Sequence, residues 1–187
     1  MPLLIAPDAS YHSSWLEAAA EFDGARRDGG GAEDWALADL AEAESFRGFV
    51  DSLRNAALPE APRKPEHVPC TFLWVVDGRT FLGSLAIRHE LNDFLLNEGG
   101  HIGYSIRPSA RRRGHAAEAL AAALPIARKL GITRALLTCD ETNAGSRATI
   151  ERNGGVYEDT RNGKRRYWLE CGTLTQATQA ARHRTEE

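Results

Sequence analysis

The stretch from position 101 to 139 restricts the possible folds more than any other part of the chain. An alternating strand at 101–107 runs into an arginine- and glycine-rich loop. A helix then spans about 114–130, with Ala117, Leu120, Leu124 and Ala127 on one face and Gly131 suited to the position just past its end. A short, nearly all-apolar strand follows at 135–139, of the kind found inside a sheet covered on both faces. Strand, helix and strand in that order make a βαβ unit, so the core must contain a sheet with a helix laid across it. Pro125, inside the helix, is expected to kink it or to remove one backbone hydrogen bond.

The flanking segments read as further parts of the same domain. Ser14 and Glu17 have capping-box spacing, and Trp15, Ala18, Ala19 and Phe22 then share a helical face. Three successive glycines make 26–32 a mobile loop. A second helix is expected from near Asp34 or Asp39, with Phe46, Phe49, Val50 and Leu53 as its buried stripe, before Pro59, Pro62, Pro65 and Pro69 impose an extended connector. The period then changes to that of strands: 71–76 and 80–88 form a hairpin around Asp77-Gly78, and a polar-apolar loop covers 89–100. After a short helix at 146–152, a second hairpin pairs 156–159 with 165–170 around Asn162-Gly163. The expected fold is a mixed α/β (α+β) domain: an N-terminal helical part at 1–69, a core at 70–171 and a polar tail at 172–187.

Composition excludes several functions. At 187 residues the chain buries enough surface to need no metal or disulfide staple. No run approaches the 18 or so apolar residues of a membrane span, and the N-terminus lacks the basic region of a secretory signal. Cys70, Cys139 and Cys171 are odd in number and lack C-x-x-C spacing, so they read as reduced thiols of a cytoplasmic protein with no metal site. A net charge of −3 argues against general nucleic-acid binding. Of 23 basic residues only Lys64, Lys129 and Lys164 are lysines, and arginine favours bidentate recognition of phosphate.

Those arginines cluster in Ile106-Arg107-Pro108-Ser109-Ala110-Arg111-Arg112-Arg113-Gly114-His115-Ala116-Ala117. Between a strand and a helix, the first helical amides have no partner and attract an anion, helped by the helix dipole. Gly114 permits a tight turn and a close approach to the backbone, and Ala116 keeps that approach open. An ordinary βα turn carrying a solvated basic patch would look similar in isolation.

In its setting the segment resembles the pyrophosphate signature [QR]-x-x-G-x-[GA] of the GNAT superfamily of N-acetyltransferases, matched by Arg111, Gly114 and Ala116. Gly103-Tyr104-Ser105-Ile106-Arg107-Pro108 resembles the preceding family strand. Asp140-Glu141-Thr142-Asn143-Ala144-Gly145-Ser146 resembles the segment beside pantetheine, and Ile150-Glu151-Arg152-Asn153-Gly154-Gly155 the usual helix end. The likeness extends from about Phe72 to Leu169 and is strongest to a bacterial subgroup. It implies a GNAT fold with a splayed βαβ site, acetyl-CoA as co-substrate, no metal, and direct attack of an amine on the thioester. Arg107, Arg111, Arg112, Arg113, Gly114, His115, Ala116 and Ala117 are then expected to bind the cofactor. Ser105, Ile106, Asn143 and Ser146 would bind its pantetheine arm, although Asn143 and Ser146 can equally cap the next helix.

The chemistry this implies sets three requirements. An amine of pKa about 10.4 must lose a proton, so a base is needed; His101 is the first candidate and Glu98 the second, with His89 and Glu90 also flanking that end of the sheet. The oxyanion needs a fixed donor, for which the resemblance points to the Tyr104 backbone N–H. The departing thiolate can take a proton, but the position of the family's tyrosine acid is Ile150, and neither Tyr157 nor Tyr167 can simply inherit the role. Trp15, Trp35 and Trp74 read as core, and Trp168 and Tyr167 as sheet packing. The expected partner is a small amine, the protein being a monomer or homodimer. A CoA-binding sensory module and an acetyltransferase of protein N-termini or lysines are the alternatives.

Overall fold

Two residues, Gly78 and Arg79, turn the chain from β2 (Cys70–Asp77) into β3 (Thr80–Arg88), with Gly78 at φ +56° supplying the left-handed step. Val75 faces Gly83 and Val76 faces Phe81, which leaves Leu82 as the extra residue of a bulge. A computed structural model describes residues 2–172, so the tail expected at 172–187 lies, beyond Gly172, outside the described residues. β1 (Leu3–Ile5), which the sequence did not signal, pairs with β2, and β4 (Ile102–Ile106) pairs with β3. The second sheet is β5 (Arg134–Asp140), β7 (Lys164–Glu170) and β6 (Val156–Arg161), in that spatial order. Every ladder is antiparallel. The fold is thus the expected mixed α/β class, with its central sheet divided between β4 and β5.

Two apolar cores follow from the alternation of β2 and β3. Leu73, Val75, Leu85 and Ile87 point to one side and meet Leu120, Ala123 and Ala127 of α3 (His115–Lys129), together with Leu137, Tyr167 and Leu169 of the second sheet. Trp74, Val76 and Phe81 point to the other side and meet α1 (His12–Glu21) and α2 (Ala43–Asn55) through Trp15, Phe46, Phe49, Val50 and Leu53. Trp15 and Trp74 are buried and Trp35 packs partly buried against Phe49. Pro125 lies on the exposed side of α3, and Ala121, whose carbonyl it cannot satisfy, is exposed as well.

Four local expectations are corrected. The Ser14–Glu17 capping box does not form, because Asp8 accepts from Ser10 N–H (2.8 Å) and starts a 3-10 turn at Ala9–Tyr11 that runs into α1. Ser14 therefore lies inside the helix, and its hydroxyl accepts from Phe81 N–H (3.0 Å), fixing α1 to β3. The 26–32 segment is not a free loop: Gly29 is buried, and a Cβ there would stand 2.4 Å from the Gly103 carbonyl oxygen. The 89–100 segment holds a π-helical turn, Leu95–Gly99, whose Leu95 is buried. α2 also begins later than expected, after a separate 3-10 turn at Asp39–Ala41.

Candidate active site

β4 and β5 meet at one point. His101 N–H donates to the Leu136 carbonyl (2.7 Å), and Leu136 N–H donates back to His101 Nδ1 (2.9 Å). No ladder joins the two strands among the described residues, and a cleft of about 590 Å³ lies between and around them. The parity of the β3–β4 ladder decides which backbone groups face that gap. Arg88 N–H bonds the His101 carbonyl and Arg107 N–H bonds the Leu82 carbonyl, so residues 103, 105 and 107 direct their amides to β3, while His101 turns only its carbonyl there. Tyr104 and Ile106 consequently turn N–H and C=O away from β3, toward the gap.

The loop before α3 lies at one end of the cleft. Its first intrahelical bond runs from Glu118 N–H to the Gly114 carbonyl (3.0 Å), so the amides of His115, Ala116 and Ala117 precede any intrahelical acceptor. Gly114 holds φ +88° as the helix N-cap and no side chain caps the turn, which leaves those amides open to an anion. Arg111 donates from Nε to the Ile106 carbonyl (3.0 Å) and lies over the Phe22 ring (5.5 Å). Arg111, Arg112, Gly114, His115, Ala116 and Ala117 line this end, joined by Arg152, which sequence reasoning missed because it lies on a distant helix.

Three cofactor expectations do not fit. Arg107 is buried and turned out of the cleft, its guanidinium bonded to Glu21 (2.9 and 2.5 Å) and to the Phe81 carbonyl (3.2 Å). Glu21 also accepts from Ser109 N–H and hydroxyl, and these donors, Arg107 first, hold its carboxyl down at about 2. Arg113 is exposed and absent from the cleft lining. Ser105 lines the cleft, but its amide faces β3 and its hydroxyl bonds Ser84 (3.2 Å), so Ile106 is the residue with backbone toward the gap.

On the opposite wall, α4 (Ala144–Arg152) is capped by Asn143, whose side chain accepts from Ser146 N–H (3.0 Å), while both residues also line the cleft. The Tyr104 hydroxyl crosses from β4 to share a hydrogen bond with Ser146 Oγ (2.9 Å), and burial pushes its pKa up to about 12. Ile150 is fully buried in the core. Tyr167 is buried outside the cleft lining, its hydroxyl bonded to Arg165 and Glu151, and Tyr157 is exposed on β6.

The base candidates separate clearly. His101 is buried and outside the cleft lining, and its Nδ1 lone pair is taken by Leu136 N–H, which places the remaining proton on Nε2. Burial and the nearby Arg88 charge lower its pKa to about 4. This imidazole joins the two sheets, and the expectation that it is the first candidate base is corrected on that geometry. His89 bonds Thr71 Oγ1 (2.8 Å) and Glu90 is exposed, both outside the cleft. Glu98 lines the cleft: its carbonyl accepts from Thr138 Oγ1 (2.5 Å) and its carboxylate from Asn162 Nδ2 (2.9 Å), so β5 and the β6–β7 turn hold it in place.

Comparison with known proteins gives a consistent picture. The sequence model of the acetyltransferase (GNAT) domain matches residues 12–156. No curated protein matches the chain. Among solved structures, Mycobacterium smegmatis RimJ in complex with CoA-disulfide superposes with a TM-score of 0.67 at 18% identity, over 97% of this chain and 90% of its own. RimL, a ribosomal L7/L12 alpha-N-protein acetyltransferase in complex with coenzyme A, gives 0.62 at 18% identity over 90% and 93%. The PaiA N-acetyltransferase of Thermoplasma acidophilum, in complex with coenzyme A, gives 0.56 at 16% identity over 91% and 99%. At these identities the structural likeness speaks for the fold.

Proposed function

The chain belongs to the GNAT acetyltransferase family and is an acetyl-CoA-dependent acyltransferase; from that premise we propose that it transfers the acetyl group to the amine of a small acceptor by direct attack. One observation carries the reading. A single cleft runs from the open amides of His115, Ala116 and Ala117, past the outward-turned backbone of Ile106 and Tyr104, to the Glu98 carboxylate.

In this reading the pyrophosphate lies on the α3 amides with Arg111, Arg112 and Arg152 around it, and pantetheine follows the gap between β4 and β5 beside Asn143 and Ser146. The amine nitrogen attacks the thioester carbonyl, and Tyr104 N–H donates to the oxyanion that forms. Glu98 takes the ammonium proton, directly or through one water. Collapse breaks the C–S bond and releases the thiolate. The Tyr104 hydroxyl can donate a hydrogen bond to that sulfur, while its raised pKa makes outright proton transfer to a thiolate of pKa near 8.5 unfavourable.

The test joins calorimetry of acetyl-CoA binding to an acceptor screen that follows free-thiol release. Gly114→Val should weaken acetyl-CoA binding severely, since a β-branched residue at φ +88° is strained and its side chain would stand where the phosphates approach. Unchanged affinity would remove the cofactor from this loop. Turnover restricted to peptide N-termini or lysines would instead favour a protein acceptor, the second reading, which the likeness to RimL, a ribosomal L7/L12 alpha-N-protein acetyltransferase, supports. Tight binding with no turnover of any amine would overturn acetyl transfer to a small acceptor and leave a CoA-binding sensor.

A further inference from the structure

Two ion pairs line the cleft, while Arg88 and Glu98 there have none among the described residues. Arg26 pairs with Asp28 (2.8 Å) and Lys164 with Asp140 (2.5 Å), all four residues lining the cleft. Arg88, the last residue of β3, also lines it, yet no carboxylate pairs with Arg88 among the described residues. Its Nη1 donates to the carbonyls of Gly99 (3.0 Å) and Gly100 (3.2 Å), which accounts for that nitrogen's two protons. Nε and Nη2 keep three N–H groups with no acceptor among the described residues. The guanidinium lies over Gly103: a Cβ there would stand 3.3 Å from Nη1 and 3.4 Å from Nη2. Gly103 directly precedes Tyr104, so this half-buried cation sits one residue from the backbone amide assigned to the oxyanion.

We propose that Arg88 binds a carboxylate of the acceptor, so that the substrate is a small amine that is also an acid, of the amino-acid type. The inference deepens the acetyl-transfer reading and rests on it. Arg88 holds the carbonyl of Gly99, the residue after Glu98, and both cation and carboxylate line the cleft. Glu98 has one oxygen held by Asn162 and the other without a partner among the described residues. A zwitterion fits with its carboxylate forked on Arg88 and its ammonium toward Glu98, which then receives the proton as the nitrogen attacks. The segment carrying Gly29 packs on the Gly103 carbonyl beside this guanidinium.

Matched acceptors separate the possibilities: amino acids, their carboxamides and their decarboxylated amines, each assayed by thiol release with wild-type protein, Arg88→Met and Arg88→Lys. The acids should show the lowest KM. Arg88→Met should raise KM for the acids on the order of 10- to 100-fold, as expected for loss of a charge-assisted bidentate pair, with little effect on the amides or on KM for acetyl-CoA. Arg88→Lys should restore part of the loss and guards against a folding defect in the methionine variant. Equal KM for acid and amide in the wild type, or equal damage to both in Arg88→Met, would overturn the proposal while leaving acetyl transfer intact. If acetyl-CoA binds but no amine of any kind releases thiol, the underlying reading fails and this proposal with it.

Discussion

The imidazole of His101 uses one nitrogen to complete a backbone hydrogen-bond pattern. A protonated ring would put a hydrogen on Nδ1, facing the Leu136 N–H that now donates to it, so the charged form must break one of the two hydrogen bonds that join the sheets. With a folded pKa of about 4 against about 6.5 unfolded, the unfolded chain binds the extra proton throughout that interval. Stability contributed by this group is therefore complete above about pH 6.5 and is lost as the pH falls toward 4, by about 2–3 kcal/mol. Chemical denaturation from pH 7 to 4.5 should show that decline in the wild type. His101→Asn, whose Oδ1 can accept from the same amide, should flatten it, and an unchanged slope would show that another group titrates. The sequence showed a histidine at the start of a strand beside the reaction centre; which nitrogen is free, and toward what, depends on Leu136, 35 residues away.

At the scale of elements, the end of α1 and the end of β4 are tied by a single carboxylate. Glu21 receives Arg107 and both donors of Ser109, so it holds the turn that leads into the phosphate loop. Arg107 is buried, and removing Glu21 leaves its charge only the exposed Glu17 carboxylate at 3.9 Å. Glu21→Gln should lower unfolding stability by about 2–4 kcal/mol, the range for breaking a largely buried pair. It should also weaken acetyl-CoA binding, because Ser109 is two residues from Arg111. A shift in the denaturation midpoint equivalent to less than about 0.5 kcal/mol, the size of an ordinary surface change, would refute the tie. Arg107 stands in the motif that resembles the family's phosphate segment, so sequence position alone assigned it to the cofactor. The strand's alternation turns its side chain toward α1 instead, and Glu21 is 86 residues distant.

For the whole molecule, the division of the sheet has a thermodynamic consequence. β4 and β5 share one backbone junction, and the rest of their interface is the cleft. A ligand in that cleft bridges both sheets, α3 and α4, and binds only the folded chain. Acetyl-CoA at 100 times its Kd should therefore add about 2.7 kcal/mol, or roughly 5–10 °C in Tm for a domain of this size. Gly114→Val should show little of this rise at the same concentration, and an equal rise in both proteins would separate binding from the loop. All three cysteines are free and buried, and burial raises the pKa of each thiol, so the fold rests on packing rather than cross-links.

What the sequence determined by itself was local: the two glycine-bearing hairpin turns, the apolar stripes of α1 and α2, the left-handed Gly131, and the strand–loop–helix with its arginines and open amides. Turn preferences, helical spacing and the unpaired amides of a helix start act over a few neighbouring residues, so they can be read in order along the chain. Tertiary structure alone decided the function of side chains whose partners are remote: His101 on Leu136, Arg107 on Glu21, Ser14 on Phe81, Tyr104 on Ser146, and Gly29 against Gly103. It also decided, through the parity of one antiparallel ladder, that Tyr104 and Ile106 rather than Ser105 turn their backbone to the gap. A polar side chain takes whichever partner the packed chain brings within about 3 Å, and that distance is set by contacts between segments far apart in sequence.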